Sequence, residues 1–342
     1  NANVTEKNIV TLNGELFKGD VIKVNRAILT DKIRELYGEE LAKEYIRMLE
    51  QHLLYKHDET SIMPYCVAIT MYPFLLEGLQ PIGGLSARPK NLDSFCGMFV
   101  NLVFAISSQF AGAVATGEFL MYFDYFARKE WGDDYWKRPE EMVDKHRNID
   151  KTIEQKFQQI VYSINQPAAA RNFQSVFWNI SYFDKNYFEG IFGEFYFPDG
   201  TQPQWESLSW LQKKFAKWFN EERTKCILTF PVETMALLTN GEDVVDEEYA
   251  DFTAEMYSKG HSFFTYMSDS PDSLSSCCRL RNEVTDNQFS YSLGAGGIAT
   301  GSKSVMTLNI NRLVQDAVNN GYDMIEYLRE NVKKVHKFQT AY

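Results

Sequence analysis

Cysteine is scarce in this chain. There are five in 342 residues, and no two are spaced Cys-x-x-Cys. That spacing argues against a four-cysteine zinc site, so no metal is expected within the chain. With no secretory signal visible at the start, so few thiols also argue against a disulfide-stapled secreted domain. They point to a reducing, cytoplasmic setting with thiols free or used transiently. Positive charge is in deficit: 35 Lys and Arg face 46 Asp and Glu, a net −11. That balance argues against a nucleic-acid partner, whose backbone needs clustered cations. No apolar run reaches the roughly 18 to 20 residues that span a bilayer, so no membrane is expected. Neither a repeat period nor a low-complexity tract is present. What the chain does have is aromatics, at 15%, which suits a large, well-filled interior. Its length allows two or three domains or one large barrel. It begins Asn1-Ala2-Asn3 and ends directly after a helical pattern, and both ends read as cuts through a longer protein.

Apolar residues recur at helical spacing over 21 to 56, with Asp31 as a cap and Tyr37-Gly38 as a closing step. Pro64 to Met71 is a short, nearly continuous apolar run, the pattern of a strand buried on both sides. Residues 78 to 94 are rich in Gly, Pro and Ser and read as loop. A long helical region is expected from about Leu92 to Trp131, apolar on most faces and carrying Ala111, Gly112, Ala113, Ala115 and Gly117. Such a helix is either core or a subunit contact. A helix at 151 to 164 leads through a polar turn into a strand carrying Gln174, Ser175 and Asn179. Then follow a helix at 205 to 223, a strand at Cys226 to Val232, a helix at 246 to 260 and a strand at 262 to 267. A final strand at 304 to 310 leads into one last helix, Leu313 to Val335. Alternation of this kind implies parallel strands joined by helical crossovers. The fold class expected is α/β: a barrel-like unit, about 57 to 342, with an N-terminal helical layer over about 1 to 56.

Between the last two strands lies Ser275-Ser276-Cys277-Cys278-Arg279. Two thiols in a loop between rigid strands are either a reactive pair or two cysteines without a role. Cys96, among Phe95, Met98 and Phe99, and Cys226, opening a strand, read as packing cysteines.

Four segments, taken in order, resemble the anaerobic (class III) ribonucleoside-triphosphate reductases of the glycyl-radical superfamily. They are His57-Asp58 with Cys66; Arg171 to Phe177 with Asn179; Phe230-Pro231-Val232-Glu233-Thr234; and Cys277-Cys278-Arg279 followed by Ser304 to Asn309. The resemblance implies a ten-stranded α/β barrel, here incomplete, with a finger loop carrying a radical-forming cysteine at its tip. It matches Cys278 to that tip, with Cys277 as the adjacent alternative, and Cys66 to a second cysteine on the first barrel strand. A thiyl radical at the tip would take the ribose 3′ hydrogen, and Cys66 would supply hydrogen as the 2′-hydroxyl leaves as water. His57, Asp58, Gln174, Ser175 and Asn179 would hold sugar or phosphates. For each of these alone, a purely structural hydrogen bond is the competing reading. Effector nucleotides (ATP or dNTP) would bind near Ser108, Gln109 and Gly112, where two subunits of a homodimer pair.

The sequence also departs from the family. Gly321-Tyr322 lacks the Arg expected upstream of a radical glycine, so the glycyl radical would come from a C-terminal segment not in this chain. An ATP-binding regulatory domain and the family's zinc module are not found either, and the fragment alone is expected to be inactive. The reductant is formate or a redoxin-type protein, and Ser302 is the nearest match to the Asn of formate users. A radical-SAM activating enzyme is the implied partner. Two other readings compete: a formate-lyase-type glycyl-radical enzyme acting on a small organic substrate, and a non-catalytic nucleotide-binding scaffold.

Overall fold

A computed structural model describes residues 9–79, 86–166, 175–271, 273–275, 281–283 and 300–342. In chain order the elements are α1 (Ile9–Tyr37), α2 (Glu39–Glu50), β1 (Leu54–Lys56), β2 (Cys66–Ala68), α3 (Tyr72–Glu77), α4 (Leu92–Ser107), β3 (Val114–Ala115) and α5 (Phe119–Trp131). Next come α6 (Ile149–Ile164), β4 (Trp178–Phe183), α7 (Lys185–Phe192), α8 (Trp205–Lys225), β5 (Val232–Leu238), α9 (Glu247–Ser258) and β6 (Phe264–Ser268). The last are β7 (Ser273–Ser275), β8 (Arg281–Glu283), β9 (Thr300–Ser302), β10 (Met306–Leu308), α10 (Ile310–Asn320) and α11 (Met324–Ala341).

The chain divides into two compact units. The larger, Val67–Gly301, holds a sheet with strand order β6-β5-β4-β3-β2-β9. Neighbouring strands from β2 to β6 pair in parallel, as the strand-helix alternation implied. The sheet is a curled, incomplete barrel wall. Every residue of β4 is buried, and its Trp178 packs against Phe99 of α4 and Phe119 of α5. Side-chain capping starts several of the helices. Asn91 and Ser94 form a reciprocal capping box on α4, and Asn148, Asp184 and Asp246 accept from the backbone of α6, α7 and α9. The aromatic surplus fills the space between helices and sheet. Phe119 of α5 lies 4.5 Å from Phe99 and 5.2 Å from Trp178 between ring centroids.

The smaller unit comprises Asn8–Cys66 and Ser302–Tyr342. Its core packs Leu29, Ile33, Tyr45 and Met48 with Leu313, Val335 and Phe338. β1 pairs antiparallel with β10, Leu54 opposite Leu308.

Several expected boundaries are corrected. The region from Leu92 to Trp131 is not one helix: α4 stops at Ser107 and β3 intervenes before α5. The hydroxyls of Ser107 and Ser108 donate back to the carbonyls of Phe104 and Ala105, local bonds that compete with helix continuation. The small residues after Ser108 therefore lie in a turn and strand, not on a helix face. The strand expected from Cys226 begins instead at Val232. The Asn165 side chain accepts the amides of Thr229 and Phe230, both at 3.1 Å, and Pro231 has no N–H for a ladder. The run from Pro64 is a strand only over Cys66–Ala68. The strand at 304 to 310 shortens to β10, paired antiparallel with β1. The last helix is two helices, broken where Gly321 takes a left-handed φ of 69°. Asp31 lies inside α1 rather than capping a helix.

Candidate active site

Register and alternation sort the sheet residues onto two faces. Ala68 pairs with Ala115, Ala115 with Asn179, Asn179 with Val232, and Ser181 with Thr234. These six share one face. Trp178, Ile180, Tyr182, Glu233 and Met235 lie on the other, where Trp178 meets Phe99 and Phe119. Around Asn179 the first face carries small and short polar groups, while further along it Phe183 and, on β6, Phe264 and Tyr266 add large rings.

Asn179 is fully buried on that face. Its Nδ2 reaches the Thr234 hydroxyl only at 3.5 Å, and its Oδ1 has no hydrogen-bond partner. An orphaned buried acceptor costs about 1–3 kcal/mol. Ser181 and Thr234 were not among the sequence candidates. The signal was available, since Ser181 is two residues from Asn179 in the same strand and Thr234 lies in a quoted segment.

Cys66 opens β2 and is buried. Strand alternation gives it the same side as Ala68. Just before it, the Tyr65 amide donates to the carbonyl of Ser302 at 2.9 Å. Ser175 is buried, but its hydroxyl donates to the Asn165 carbonyl at 2.6 Å, the structural bond that competed with a binding role. Gln174, Cys277 and Cys278 lie outside the described residues. On either side of the two cysteines, β7 and β8 pair antiparallel, Ser275 with Arg281.

His57 and Asp58 belong to the smaller unit. The His57 Nε2 is 2.8 Å from the Thr307 hydroxyl, and its ring stands edge-on to Tyr55 at 4.7 Å. Asp58 has a left-handed φ of 48° and its carbonyl accepts from Ser61. Ser108 caps α4, Gln109 is exposed just past it, and Gly112 is buried before β3. Burial pushes the Cys96 thiol up to about 12, so it stays protonated and inert. The Cys226 sulfur lies 2.9 Å from the Tyr162 hydroxyl at the end of α8. Among the described residues no group of three His, Cys, Asp or Glu could hold a metal, and no helix is long and apolar enough to cross a membrane.

One buried acid stands beside the sheet. Glu118, ahead of α5, accepts from the Met71 amide at 3.0 Å and from the Thr70 hydroxyl at 3.1 Å. Burial still raises its carboxyl to about 8. Below the ordinary carboxyl range both folded and unfolded states are protonated. From there up to about 8 the folded state holds the proton more tightly, so stability falls as pH rises. At about 1.4 kcal/mol per pH unit, Glu118→Gln is expected to flatten the profile. It should gain on the order of 4 kcal/mol over the parent at pH 8 and little at pH 4. Urea melts across that range test it, and parallel profiles for the two proteins would refute it.

The model of the anaerobic ribonucleoside-triphosphate reductase family matches residues 16–342. The chain belongs to that family. Solved anaerobic ribonucleotide reductases agree. The Thermotoga maritima enzyme in complex with dATP and CTP is 29% identical with a TM-score of 0.77, over 98% of this chain and 54% of that one. The same enzyme with citrate in the active site gives 29% and 0.76, over 98% and 58%. With dATP in the specificity site it gives 29% and 0.77, over 98% and 55%. The chain thus spans little more than half the length of these reductases. No curated protein sequence matches it. The family match does not favour the formate-lyase-type alternative.

Proposed function

We propose that this chain is the barrel portion of an enzyme that reduces ribonucleoside triphosphates to deoxyribonucleoside triphosphates by thiyl-radical chemistry. The observation that carries it is the patch of small and short polar side chains around the unpartnered Oδ1 of Asn179, in a chain of this reductase family. A ribose hydroxyl is the donor that would pair with that oxygen under this reading. Cys278, or its neighbour Cys277, is the cysteine that takes the 3′ hydrogen. Cys66 gives hydrogen to the sugar as the 2′-hydroxyl leaves as water. His57, Asp58, Gln174 and Ser175 hold sugar or phosphates. Both units belong to one catalytic barrel under this reading.

A glycyl radical, generated by a radical-SAM activating enzyme on a segment of the complete enzyme, supplies the oxidising equivalent. Formate or a redoxin supplies the reducing one. The enzyme acts in the cytoplasm as a homodimer, with ATP or dNTP effectors bound near Ser108, Gln109 and Gly112.

Nucleotide binding tests the reading. CTP with dATP is expected to raise Tm, by about 2.7 kcal/mol of added stability at a roughly hundredfold excess over Kd. At this size that is several degrees, at about 2 °C per kcal/mol. Asn179→Leu should abolish the CTP part and leave the dATP part. Pyruvate should do nothing. A shift with pyruvate and none with nucleotides would overturn the assignment.

A further inference from the structure

Three Asn-Gly steps occur in the chain: Asn13-Gly14, Asn240-Gly241 and Asn320-Gly321. Each carries the same latent chemistry. The glycine amide nitrogen can attack the asparagine Cγ, because glycine has no side chain to hinder the approach. The residue after the asparagine is the same in all three, so their intrinsic reactivities are close. The fold decides which of them reacts.

Two of the steps are held by helices. Asn13 and Gly14 lie within α1, where each N–H is taken by the carbonyl four residues back. Asn320 is the last residue of α10, and its Nδ2 donates to the Asp316 carbonyl at 2.7 Å. The Gly321 N–H is turned back onto the carbonyls of Ala317 and Val318 to cap that helix. At Asn320 the nitrogen that would attack and the nitrogen that would leave are therefore both engaged. Reaction at either helix-held step needs local opening first.

Asn240-Gly241 is different. It lies in an exposed loop between β5 and α9. Thr239 bridges to Val244 at the base of the loop, and the Asn240 amide donates to the Asp243 carbonyl at 3.0 Å. The Asn240 Oδ1 accepts the amides of Glu242 at 3.0 Å and Asp243 at 2.9 Å. Two N–H donors on that oxygen stabilise the negative charge it gains when Cγ is attacked, as in an oxyanion hole. Among the described residues neither the Gly241 N–H nor the Asn240 Nδ2 has a hydrogen-bond partner. Gly241 has a φ of 97° and open space beside its Cα. The nucleophile is exposed, the carbonyl is polarised and the leaving group faces no protein acceptor.

We infer that Asn240 is a site of spontaneous deamidation in the folded protein. The Gly241 nitrogen bonds to Cγ and gives up its proton, the Cγ–Nδ2 bond breaks, and ammonia leaves with that proton. Water then opens the cyclic imide at either carbonyl, giving aspartate or isoaspartate. Nothing is oxidised or reduced. Each event adds one negative charge beside Glu242 and Asp243. Aspartate can accept the same two amides, whereas isoaspartate puts an extra carbon into the backbone of a loop closed by the Thr239–Val244 bridge. The site lies within the larger unit and stands whether or not the sheet face binds nucleotides.

Ageing the folded chain at neutral pH and body temperature, with peptide mapping by mass spectrometry, tests this. The Asn240 peptide is expected to convert from amide to acid at least tenfold faster than the Asn320 and Asn13 peptides. In denaturing urea the three should convert at similar rates, since only the fold separates them. An isoaspartyl methyltransferase should label the aged chain at position 240, and Asn240→Gln should remove that label. Conversion of Asn240 no faster than Asn320 in the folded chain would overturn the inference. So would the same preference for Asn240 in urea, or a label that persists undiminished in Asn240→Gln.

Discussion

Cys66→Ala is expected to bring ribonucleotide reduction by the complete, activated enzyme down to background, a loss on the order of 10³-fold or more. The reason is chemical. Under the proposed mechanism this thiol delivers the hydrogen atom that completes loss of the 2′-hydroxyl, and a methyl group has no weak S–H bond to give. Ser is equally unable, because its O–H bond is far stronger than S–H, so Cys66→Ser should be as inactive as Ala. The fold should survive. Cys66 is a small buried residue beginning a three-residue strand, and Ala in that strand costs the packing of one sulfur, about 1–2 kcal/mol. CTP should still raise Tm in the variant. A Cys66→Ala enzyme that turns over at the parent rate would remove this cysteine from the mechanism. One that also fails to bind CTP would show that the residue acts through structure.

The largest stability effect is expected at Glu233. Its carboxylate, on the helix-facing side of β5, accepts the Tyr182 hydroxyl and contacts the His261 Nε2, and all three side chains are buried. The His261 Nδ1 has no partner. A carboxylate accepts, so in this contact the His261 Nε2 is the donor. Glu233→Ala would leave two buried donors unsatisfied together with a cavity. We expect a loss of about 3–5 kcal/mol, the range for removing one member of a buried pair. Glu233→Gln still accepts one of the two bonds and should lose about half as much, and Tyr182→Phe about 1 kcal/mol. Chemical denaturation with an unchanged m-value is the measurement. Equal costs for Ala and Gln would show that packing, not the hydrogen bonds, holds this site together.

Parts of this were legible without coordinates. Parallel strands followed from alternation of apolar runs with amphipathic stretches, because burial on both faces leaves its mark residue by residue, as at Trp178 to Phe183. The packing role of Cys96 was plain from its apolar neighbours. Boundaries were harder. The helix expected through Trp131 ends at Ser107 because two serine hydroxyls bond back to the preceding turn, a competition that hydrophobic periodicity does not report. The strand expected from Cys226 waits for Val232 because a distant side chain, Asn165, takes the intervening amides.

By itself the sequence determined the reductase family, the parallel α/β organisation and Asn179 and Cys66 as residues of interest, since composition, alternation and motif order are properties of the chain. Only the tertiary structure decided which polar groups remain unsatisfied. It matched Ser175 to a backbone carbonyl, left the Oδ1 of Asn179 without a donor among the described residues, and placed Ser181 and Thr234 beside it. The reason is physical: a hydrogen bond or an ion pair depends on which groups folding brings within about 3 Å of one another, and no spacing along the chain encodes that distance.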